Sequence, residues 1–351
     1  MIRILMCCSS LDTKGGMVSV VKNYLDYKEW GDFSIKFIPT HFDTNKYLLI
    51  AYFAMRFMQI WFTVKTQQID IAHLHVAERG SFWRKAFLLS FFHKNGIKVI
   101  LHHHGAEFES FYNDCSKENK NKIKKVLGEA DVNIVLSERL VGMLTSKNPD
   151  AKVKVLYNSV YCNEKNPYSL QADKVLFLGR LGKRKGIFDL LEAIKRIDSQ
   201  IPDNIKFYLC GDQGEQQVYD AVKNLNIEHR IEYIGWIDQE MKEKIIPHVM
   251  INCLPSYNEG LPMTILETMA AGIPNISTAI ASIPEVIKDG VNGYLIRPGD
   301  IDALSEKLLT LINNKELRER FSKNSYETVL NNFSIDKHIT NLKDIYSICS
   351  K

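Results

Sequence analysis

Two glutamates, Glu259 and Glu267, stand eight positions apart in the stretch from Cys253 to Gly272. A carboxylate accepts hydrogen bonds from hydroxyl groups, so two of them can hold a polyhydroxylated ligand at two points. Eight helical residues rise about 12 Å, and this length is only a bound because Glu259 precedes the predicted helix. The alternative is a pair of solvated glutamates on one side of a helix.

The residues around this pair predict a strand, a turn and a helix with an open N-terminus. An apolar run at 249–254 predicts a buried strand, and Glu259-Gly260 forms the turn. Pro262 is predicted at the first helical position, where its missing N–H costs nothing, and Gly272 ends the helix. Such an N-terminus presents unpaired N–H groups and the positive end of the helix dipole, which favours a phosphate.

A second candidate anion site is the glycine-rich run 178–186, which follows another predicted strand. Arginine can contact a phosphate through two nitrogens, and lysine supplies a point charge. Cations here would also offset the repulsion between a diphosphate and the two glutamates. The alternative is a solvated basic loop. The basic residues of the run are Arg180, Lys183, Arg184 and Lys185.

Together these stretches resemble the retaining glycosyltransferases of family 4, within glycosyl transferases group 1. Glu259 and Glu267 match the family's Glu-x7-Glu signature, with Pro-Ser-x-x-Glu-Gly before it and Leu-Glu-x-Met-Ala-x-Gly at its end. The run 179–186 matches Gly-Arg-x4-Lys-Gly. The resemblance covers nearly the whole chain and is strongest over 174–300.

The resemblance implies a role for each matched position. Arg180 and Lys185 would bind the diphosphate of a donor, Glu267 the ribose, and Glu259 the hydroxyls of the transferred sugar, with amides near Met263 on the phosphates. The implied catalytic residues are His104, Glu259, Arg180 and Lys185. The implied donor-binding residues are Gly15, Gly16, Gly179, Arg180, Lys185, Gly211, Glu259, Gly260, Leu261, Met263 and Glu267.

The first half contributes Gly15-Gly16, between a predicted strand at 2–8 and a predicted helix. Two glycines let the backbone approach a ligand and present helix N–H groups to it, although an ordinary strand-to-helix turn would look the same. The pair is not a Walker motif, because the spacing and the following Lys-Ser/Thr are missing. It resembles the first-strand loop of family 4 enzymes, which approaches the donor phosphate and the acceptor.

Three consecutive histidines, His102, His103 and His104, end the predicted strand 98–104. Alternation along a strand puts His103 on the opposite face from the other two, so the three cannot form one metal site, and no metal is predicted. His104-Gly105 resembles the family's His-Gly, whose imidazole lies near the transferred sugar.

Two other matches to the family are less regular. Cys210-Gly211-Asp212-Gln213-Gly214 fits the Gly-x-Gly turn loosely, and Tyr233 to Trp236 fits a segment near the nucleotide base. Ala281-Ser282 stand where the family has Gly-Gly, so we expect a narrower loop that alters which sugar or acceptor fits.

Strands and helices alternate in both halves, which predicts an α/β protein with two doubly wound parallel-sheet domains. The resemblance implies the GT-B fold, two facing Rossmann-like domains with an inter-domain cleft. The predicted domains are 1–165, the acceptor side, and 166–333, the nucleotide-sugar donor side, with a linker inside 158–173. A last helix within 334–351 is expected to pack back toward the first domain.

The composition of the 351 residues, 45% hydrophobic and 25% charged, is typical of a soluble globular protein. The seven scattered cysteines contain no CxxC pair, which favours reduced thiols in a cytoplasmic protein over disulfides or structural zinc. Residues 1–165 contain 23 Lys and Arg against 16 Asp and Glu, a net charge of +7, whereas residues 166–351 contain 22 against 25, a net charge of −3. We expect the first half to face an anionic partner, and no motif supports nucleic acid.

Two apolar segments of the first half bear on membrane contact. No signal peptide is predicted at the N-terminus. The apolar run 47–64 contains Arg56 and Gln59 near its middle. These polar residues favour a packed helix with one sticky face over a membrane span. Arg79, Arg84 and Lys85 lie among large aromatic residues and predict either a membrane-facing helix or one whose basic stems cover their own domain.

The sequence thus predicts a retaining, metal-independent glycosyltransferase without a cofactor, using a UDP- or GDP-sugar as donor. The expected acceptor is a glycan or a polyprenyl-diphosphate-linked glycan in bacterial surface polysaccharide synthesis. The expected location is the cytoplasm, in peripheral contact with the inner face of the cytoplasmic membrane. Two alternatives remain: a nucleotide-sugar epimerase of the same fold, or a non-catalytic subunit that binds sugar nucleotides.

Overall fold

The computed structural model describes residues 1–350, which form two compact units. Unit 1 consists of Met1–Ser159 and the residues from Ile335 onward, and unit 2 of Val160–Ser334. The sequence placed the domain boundary after residue 165 with a linker inside 158–173, and the division between the two units falls inside that linker. The reason is local: the Val160 N–H donates to the Phe333 carbonyl, and Val160 forms a parallel bridge with Ser334, so the chain enters and leaves unit 2 side by side.

Unit 1 is built on a six-stranded parallel sheet with strand order β2-β1-β3-β4-β5-β6. The two strands predicted at 2–8 and 98–104 are confirmed to within one residue. The strands are β1 (Ile2–Cys8), β2 (Phe33–Pro39), β3 (Ile71–Val76), β4 (Lys98–His103), β5 (Val132–Val135) and β6 (Val153–Val155).

Helices cover the sheet of unit 1, and apolar side chains from sheet and helices form one buried cluster. The helix predicted over the apolar run 47–64 is present, as is the helix near the C-terminus. The helices are α1 (Gly16–Asp26), α2 (Lys46–Thr66), α3 (Gly80–Lys94), α4 (Phe108–Asp114), α5 (Lys117–Glu129), α6 (Val141–Thr145) and α14 (Ile335–Cys349).

Unit 2 has a second six-stranded parallel sheet, with strand order β12-β11-β10-β7-β8-β9. The strands are β7 (Lys174–Leu178), β8 (Lys206–Cys210), β9 (Ile231–Gly235), β10 (Val249–Leu254), β11 (Asn275–Thr278) and β12 (Gly293–Ile296). The helices are α7 (Ile187–Ile197), α8 (Glu215–Asn224), α9 (Gln239–Ile245), α10 (Met263–Ala270), α11 (Ile283–Val286), α12 (Ile301–Asn313) and α13 (Lys315–Asn332).

Both strand orders contain a point where consecutive crossovers run to opposite sides. In unit 1 it lies between β1 and β3, and in unit 2 between β7 and β10. Ligands of open parallel sheets bind at the carboxyl ends of the strands at such a point. The loops after β1, β7 and β10 are those that carry Gly15, Arg180 and Glu259, so the topology puts the predicted residues where this rule expects a ligand.

Candidate active site

Three loops of unit 2 are joined by backbone hydrogen bonds beside the switch point. The Leu181 N–H donates to the Asp212 carbonyl at 2.9 Å, which joins the loops after β7 and β8. The Tyr257 N–H donates to the Arg184 carbonyl at 2.8 Å, which joins the loops after β7 and β10. Residues far apart in the sequence are therefore held on one rigid surface.

Two glycines make this approach possible. A Cβ at Gly211 would overlap the carbonyl oxygen of Gly179, and a Cβ at Gly186 would overlap that of Pro255. Gly186 also has a φ of 73°, in the left-handed region that favours glycine. The structure thus gives Gly211, predicted to bind the donor, a packing reason of its own, and its contact with a ligand stays a prediction.

Glu259 and Lys185 form a buried ion pair. The Lys185 Nζ lies 2.5 Å from Glu259 Oε1, and the Ser256 hydroxyl donates to the same oxygen at 2.7 Å. The side chain of Glu259 is 6% exposed and that of Lys185 15% exposed. The sequence assigned these residues to different parts of a ligand and did not predict their pairing. Removing either partner would leave the other charge desolvated without its counterion.

Glu267 lies on α10 and pairs with Lys242 of α9, whose Nζ donates to Glu267 Oε2 at 3.1 Å. Both side chains are 22% exposed, so the carboxylate remains accessible to a ligand. Lys242 was not singled out from the sequence, because it is one of two lysines on a short polar helix and belongs to no motif.

The N-terminus of α10 carries no side-chain cap and no acidic residue in its first turn. The helix begins at Met263, and Pro262 is the N-cap with a φ of −65° and a ψ of 124°; the sequence had placed Pro262 one position further along. The side chains of Leu261 and Met263 are buried. Any contact of these two residues with a ligand must therefore come from their backbone, as a phosphate at a helix N-terminus requires.

Arg180 is exposed in the loop after β7, next to Gly179. Among the described residues no side-chain hydrogen bond or ion pair engages its guanidinium, in contrast to Lys185. It can therefore reach an anionic ligand without giving up a protein contact.

Ala281 has a φ of 43°, which is unusual for a residue with a Cβ and explains why the family has glycine at this position. The next residue, Ser282, is fully buried, and its N–H donates to the Gly260 carbonyl at 3.4 Å. The loop that departs from the family pattern thus contacts the turn that holds Glu259.

In unit 1, Gly15 is the N-cap of α1 with a φ of 143°, and Gly16 is the first helical residue. The helix has no side-chain cap and no acid in its first turn, and nothing lies within 4 Å of a Cβ built on Gly15. The helix N-terminus is therefore open on the side where the sequence predicted a ligand.

His104 follows β4 and is fixed by a residue that the sequence did not single out. Its ring Nε2 lies 2.8 Å from His75 Nδ1, and its backbone N–H donates to the Val76 carbonyl. A Cβ at Gly105 would overlap the Glu78 carboxylate, which accepts a hydrogen bond from the Glu107 N–H at 2.5 Å. No motif in the sequence singled out His75. In the structure its strand register places it directly opposite His102 in the parallel sheet.

Helix α14 closes a network around these imidazoles. The Tyr346 hydroxyl lies 2.6 Å from His73 Nδ1, and the Tyr24 hydroxyl of α1 lies 2.6 Å from His338 Nε2. His73 Nε2 in turn lies 3.2 Å from His102 Nδ1. The C-terminal helix thus carries part of the histidine cluster, which we define as His73, His75, His102, His104 and His338.

Burial keeps this cluster neutral. It lowers the pKa of His73 and His104 to about 3 and that of His338 to about 4, because a charged imidazole would lose its hydration. Burial also lowers the pKa of His75 and His102, and that of His103 to about 4. A neutral His104, held through Nε2, has Nδ1 left for a substrate.

These shifts predict that unit 1 loses stability as the pH falls below about 6.5, the ordinary pKa of histidine in an unfolded chain. Between that pH and the lower folded-state pKa, only the unfolded state binds the proton, so each such histidine removes about 1.4 kcal/mol per pH unit. Urea unfolding at pH values from about 7.5 to 5.5 measures the slope. Replacing the buried His103 with glutamine should lower this slope by about 1.4 kcal/mol per pH unit, the contribution of one proton. His248→Gln, at an exposed position, is the control. Equal slopes in the two variants would contradict the prediction.

A metal could use three of these histidines. Nitrogens of His73, His75 and His102 lie within 4.8 Å of one another. Nε2 of His75 and Nε2 of His102 are buried without a hydrogen-bond partner among the described residues. The group holds no carboxylate, and the nearby Lys85 lowers the pKa of His75, so the surroundings disfavour a dication. The absence of a functional metal stays a prediction.

The basic helix α3 differs from its predicted role as a membrane-facing surface. Lys85 is buried, and its Nζ donates to the Thr40 hydroxyl at 2.6 Å. Burial lowers its pKa to about 8. Arg84 is half-buried and Arg79 exposed. Lys85 therefore cannot contact a membrane, and the alternative prediction, that basic stems pack on their own domain, holds for this residue.

Two Rossmann-like units, each on a six-stranded parallel sheet, define the GT-B class of fold. The structure of Anabaena HepE in complex with UDP and glucose matches with a TM-score of 0.75 at 16% identity, over 99% of this chain and 100% of that chain. At this identity the likeness shows the fold.

The sequence comparisons name the family. Residues 163–328 match the model of glycosyl transferases group 1. The N-acetyl-alpha-D-glucosaminyl L-malate synthase of Bacillus anthracis is 27% identical over 293 residues, covering 80% of this chain and 75% of that protein. The UDP-Gal:alpha-D-GlcNAc-diphosphoundecaprenol alpha-1,3-galactosyltransferase of Escherichia coli is 27% identical over 316 residues, covering 81% and 76%. Nearly half of this chain thus matches the group 1 glycosyltransferases, as its motifs indicated.

Proposed function

We propose that this glycosyltransferase is a retaining, family 4 enzyme that transfers a sugar from a nucleoside diphosphate to a glycan or lipid-linked acceptor. The observation that carries the proposal is the surface beside the switch point of unit 2. Arg180, the Glu259–Lys185 pair and the uncapped N-terminus of α10 lie on loops that backbone hydrogen bonds hold together.

The donor would be bound along α10. Its diphosphate would lie at the helix N-terminus, where backbone amides and Arg180 supply positive charge. Glu267, further along the same helix, would accept hydrogen bonds from the ribose hydroxyls. Glu259 would accept them from the transferred sugar and so orient its anomeric carbon toward the acceptor.

The chemistry that these residues support is departure of the nucleoside diphosphate. Negative charge grows on the leaving oxygen as the glycosidic bond breaks, and preorganised cations and amides stabilise it. Arg180 and Lys185 provide that charge from the protein itself, so the proposed reaction needs neither a metal ion nor a cofactor.

Retention is proposed to follow from attack on the face that the leaving group has just left: the acceptor hydroxyl oxygen bonds to the anomeric carbon and gives its proton to the departing phosphate oxygen. A double displacement would require a carboxylate free to attack the anomeric carbon. Glu259 is held by Lys185 and Ser256 and is already assigned to the sugar hydroxyls. Same-face substitution within an ion pair is therefore our proposed mechanism.

The acceptor is proposed to be a glycan or a polyprenyl-diphosphate-linked glycan of a bacterial surface polysaccharide. The Escherichia coli relative carries diphosphoundecaprenol in its name, and the first half of this chain is basic. These two observations also support action at the inner face of the cytoplasmic membrane.

A screen of UDP- and GDP-sugars tests the proposal. The true donor should raise the thermal midpoint, and in the absence of acceptor it should be hydrolysed slowly to the nucleoside diphosphate. Proton NMR of the product then reports whether the anomeric configuration is kept. Inversion would overturn the retaining assignment, and stabilisation by no sugar nucleotide would overturn the proposed donor site.

The same screen separates the two alternative functions. An epimerase would interconvert the free donor sugar without an acceptor. A non-catalytic subunit would be stabilised by the donor but would release no nucleotide with any acceptor. The intact basic run 178–186 and both glutamates speak against a non-catalytic subunit, and the Glu-x7-Glu run speaks against an epimerase.

A further inference from the structure

Helix α2 presents an apolar outer face that unit 1 leaves uncovered. It is the one helix of the described residues that is long and apolar enough to cross a membrane, and only 11% of its most apolar stretch is buried. Seven of the sixteen large hydrophobic residues exposed in the described chain lie on it. They are Tyr47, Leu48, Ile50, Met55, Met58, Trp61 and Phe62.

The opposite face fixes the helix to unit 1. Ile60 is fully buried, and Phe53, Phe57 and Val64 pack against the core cluster. The ring of Phe57 lies 5.0 Å from that of Phe87 on α3, in an edge-to-face arrangement. The helix cannot cross a bilayer without giving up this packing, so it is not a membrane span in this fold.

The outer face runs the length of the helix. Tyr47, Met55, Met58 and Phe62 recur at helical spacing and are between 53% and 84% exposed. A surface helix of a soluble protein normally turns charged and polar residues outward, and contiguous exposed apolar patches mark interaction sites.

The charges of α2 decide between two occupants. The helix contains Lys46, Arg56 and Lys65 and no acidic residue. A symmetric pair of copies would place the same face against itself, so these cations would meet cations. An anionic bilayer surface supplies both the opposite charge and an apolar layer just beneath it.

We propose that the outer face of α2 docks into the interfacial region of an anionic lipid bilayer, with the helix axis in the membrane plane. Met55, Met58 and Phe62 enter the boundary between headgroups and acyl chains. Lys46 and Lys65, at the two ends of the helix, contact the headgroups. The docking surface is thus α2, and not the basic helix α3, for which a membrane-facing role was one of two predicted alternatives.

This inference deepens the proposed function. The link between membrane docking and a lipid-linked acceptor rests on that proposed function. A lipid-linked acceptor is confined to the bilayer, and docking through α2 would keep unit 1 at the surface where that acceptor lies. Vesicle binding itself needs neither donor nor acceptor, so it can be measured separately from transfer.

The test is co-sedimentation of the untagged full chain with vesicles of phosphatidylcholine alone or with about one third phosphatidylglycerol. We expect binding at least about tenfold tighter to the anionic vesicles, weakened by salt. Met58→Glu/Phe62→Glu should reduce it by about tenfold or more, because carboxylates would enter the apolar layer. Lys46→Glu/Lys65→Glu should abolish the preference for anionic lipid.

Ile348→Glu is the matched control, since Ile348 is 58% exposed on α14 of the same unit. It should bind vesicles like the unaltered protein. Trp61 offers a second readout, because its emission should shift to shorter wavelength on docking, and Trp61→Phe assigns that signal among the four tryptophans.

Three outcomes would overturn the docking surface. These are no binding of the unaltered chain to either vesicle, equal binding by Met58→Glu/Phe62→Glu, and a dimer in solution that this variant dissociates, which would make the face an interface between copies. Donor hydrolysis by the same variant should stay unchanged. Its loss in every protein, the unaltered chain included, would count against the proposed function instead.

Discussion

Replacement of Glu259 by alanine is expected to lower the rate of sugar transfer by about 10²- to 10³-fold while the fold is kept. The carboxylate is buried, and Lys185 and Ser256 hold it in one orientation. Its loss removes the hydrogen-bond acceptor that orients the transferred sugar, and it leaves the Lys185 ammonium without its counterion. Initial rates with the donor identified by the screen measure the effect, and circular dichroism with a thermal midpoint reports on the fold.

Two further variants make the Glu259 result specific. Glu259→Gln keeps the shape of the side chain and removes only its charge, so it shows whether charge or size matters. Glu306→Ala removes an exposed glutamate of α12 in the same unit and should leave the rate unchanged. Full transfer activity in the Glu259→Ala variant would reject the role assigned to this residue.

Replacement of Lys185 by alanine is expected to lower kcat by about 10²- to 10³-fold, because a cation that stabilises the departing diphosphate is lost. It should also lower the free energy of unfolding by about 3 kcal/mol, since Glu259 would remain buried without its partner. Steady-state kinetics and urea unfolding measure the two effects separately. Lys195→Ala, which removes an exposed lysine of the neighbouring helix α7, is the matched control and should change neither.

A double variant separates stability from catalysis. Lys185→Met with Glu259→Gln removes both charges, so most of the lost stability should return while transfer remains absent. Recovery of transfer together with stability would mean that the pair serves only the fold. A Lys185→Ala variant with an unaltered kcat would remove this residue from the proposed mechanism.

The second unit was the more readable half of the sequence. Its strands are short apolar runs, and its glycines stand where backbones approach closely, as Gly186 and Gly211 show. Local chemistry dictates these features: a left-handed φ at Gly186 or an approach without room for a Cβ leaves few choices of residue. The family resemblance, the two-sheet fold and the uncapped helix at Met263 could therefore be predicted.

The pairing of Glu259 with Lys185 could not. The two residues lie 74 positions apart, and each had a plausible separate partner in a ligand. Their contact depends on how far the loops after β7 and β10 project, which the strand register and the approach at Gly186 decide together. Lys242 could not be predicted for the same reason, since only the tertiary structure brings it to Glu267.

The first unit shows the opposite balance. From the sequence, a membrane surface on α3 and packing of its basic stems were equally supported, because both predict the same residue type at Lys85. In the tertiary structure Lys85 is buried beside Thr40, and the outer face of α2 is exposed. Which face of an apolar helix is buried depends on the elements that pack on it. Apolar residues occur on all sides of α2, so the sequence pattern did not show which face would be buried.

The sequence by itself determined what local rules enforce: strand and helix bounds, the turns that need glycine, an open helix N-terminus, and motifs specific enough to indicate group 1 glycosyltransferases. Tertiary structure alone decided which side chains meet. It joined His75 to His104, brought His338 and Tyr346 of the C-terminal helix to the same cluster, and paired Glu259 with Lys185. The physical reason is that backbone conformation depends on neighbours in sequence, whereas these contacts depend on strand order and register, which act between residues far apart in the chain.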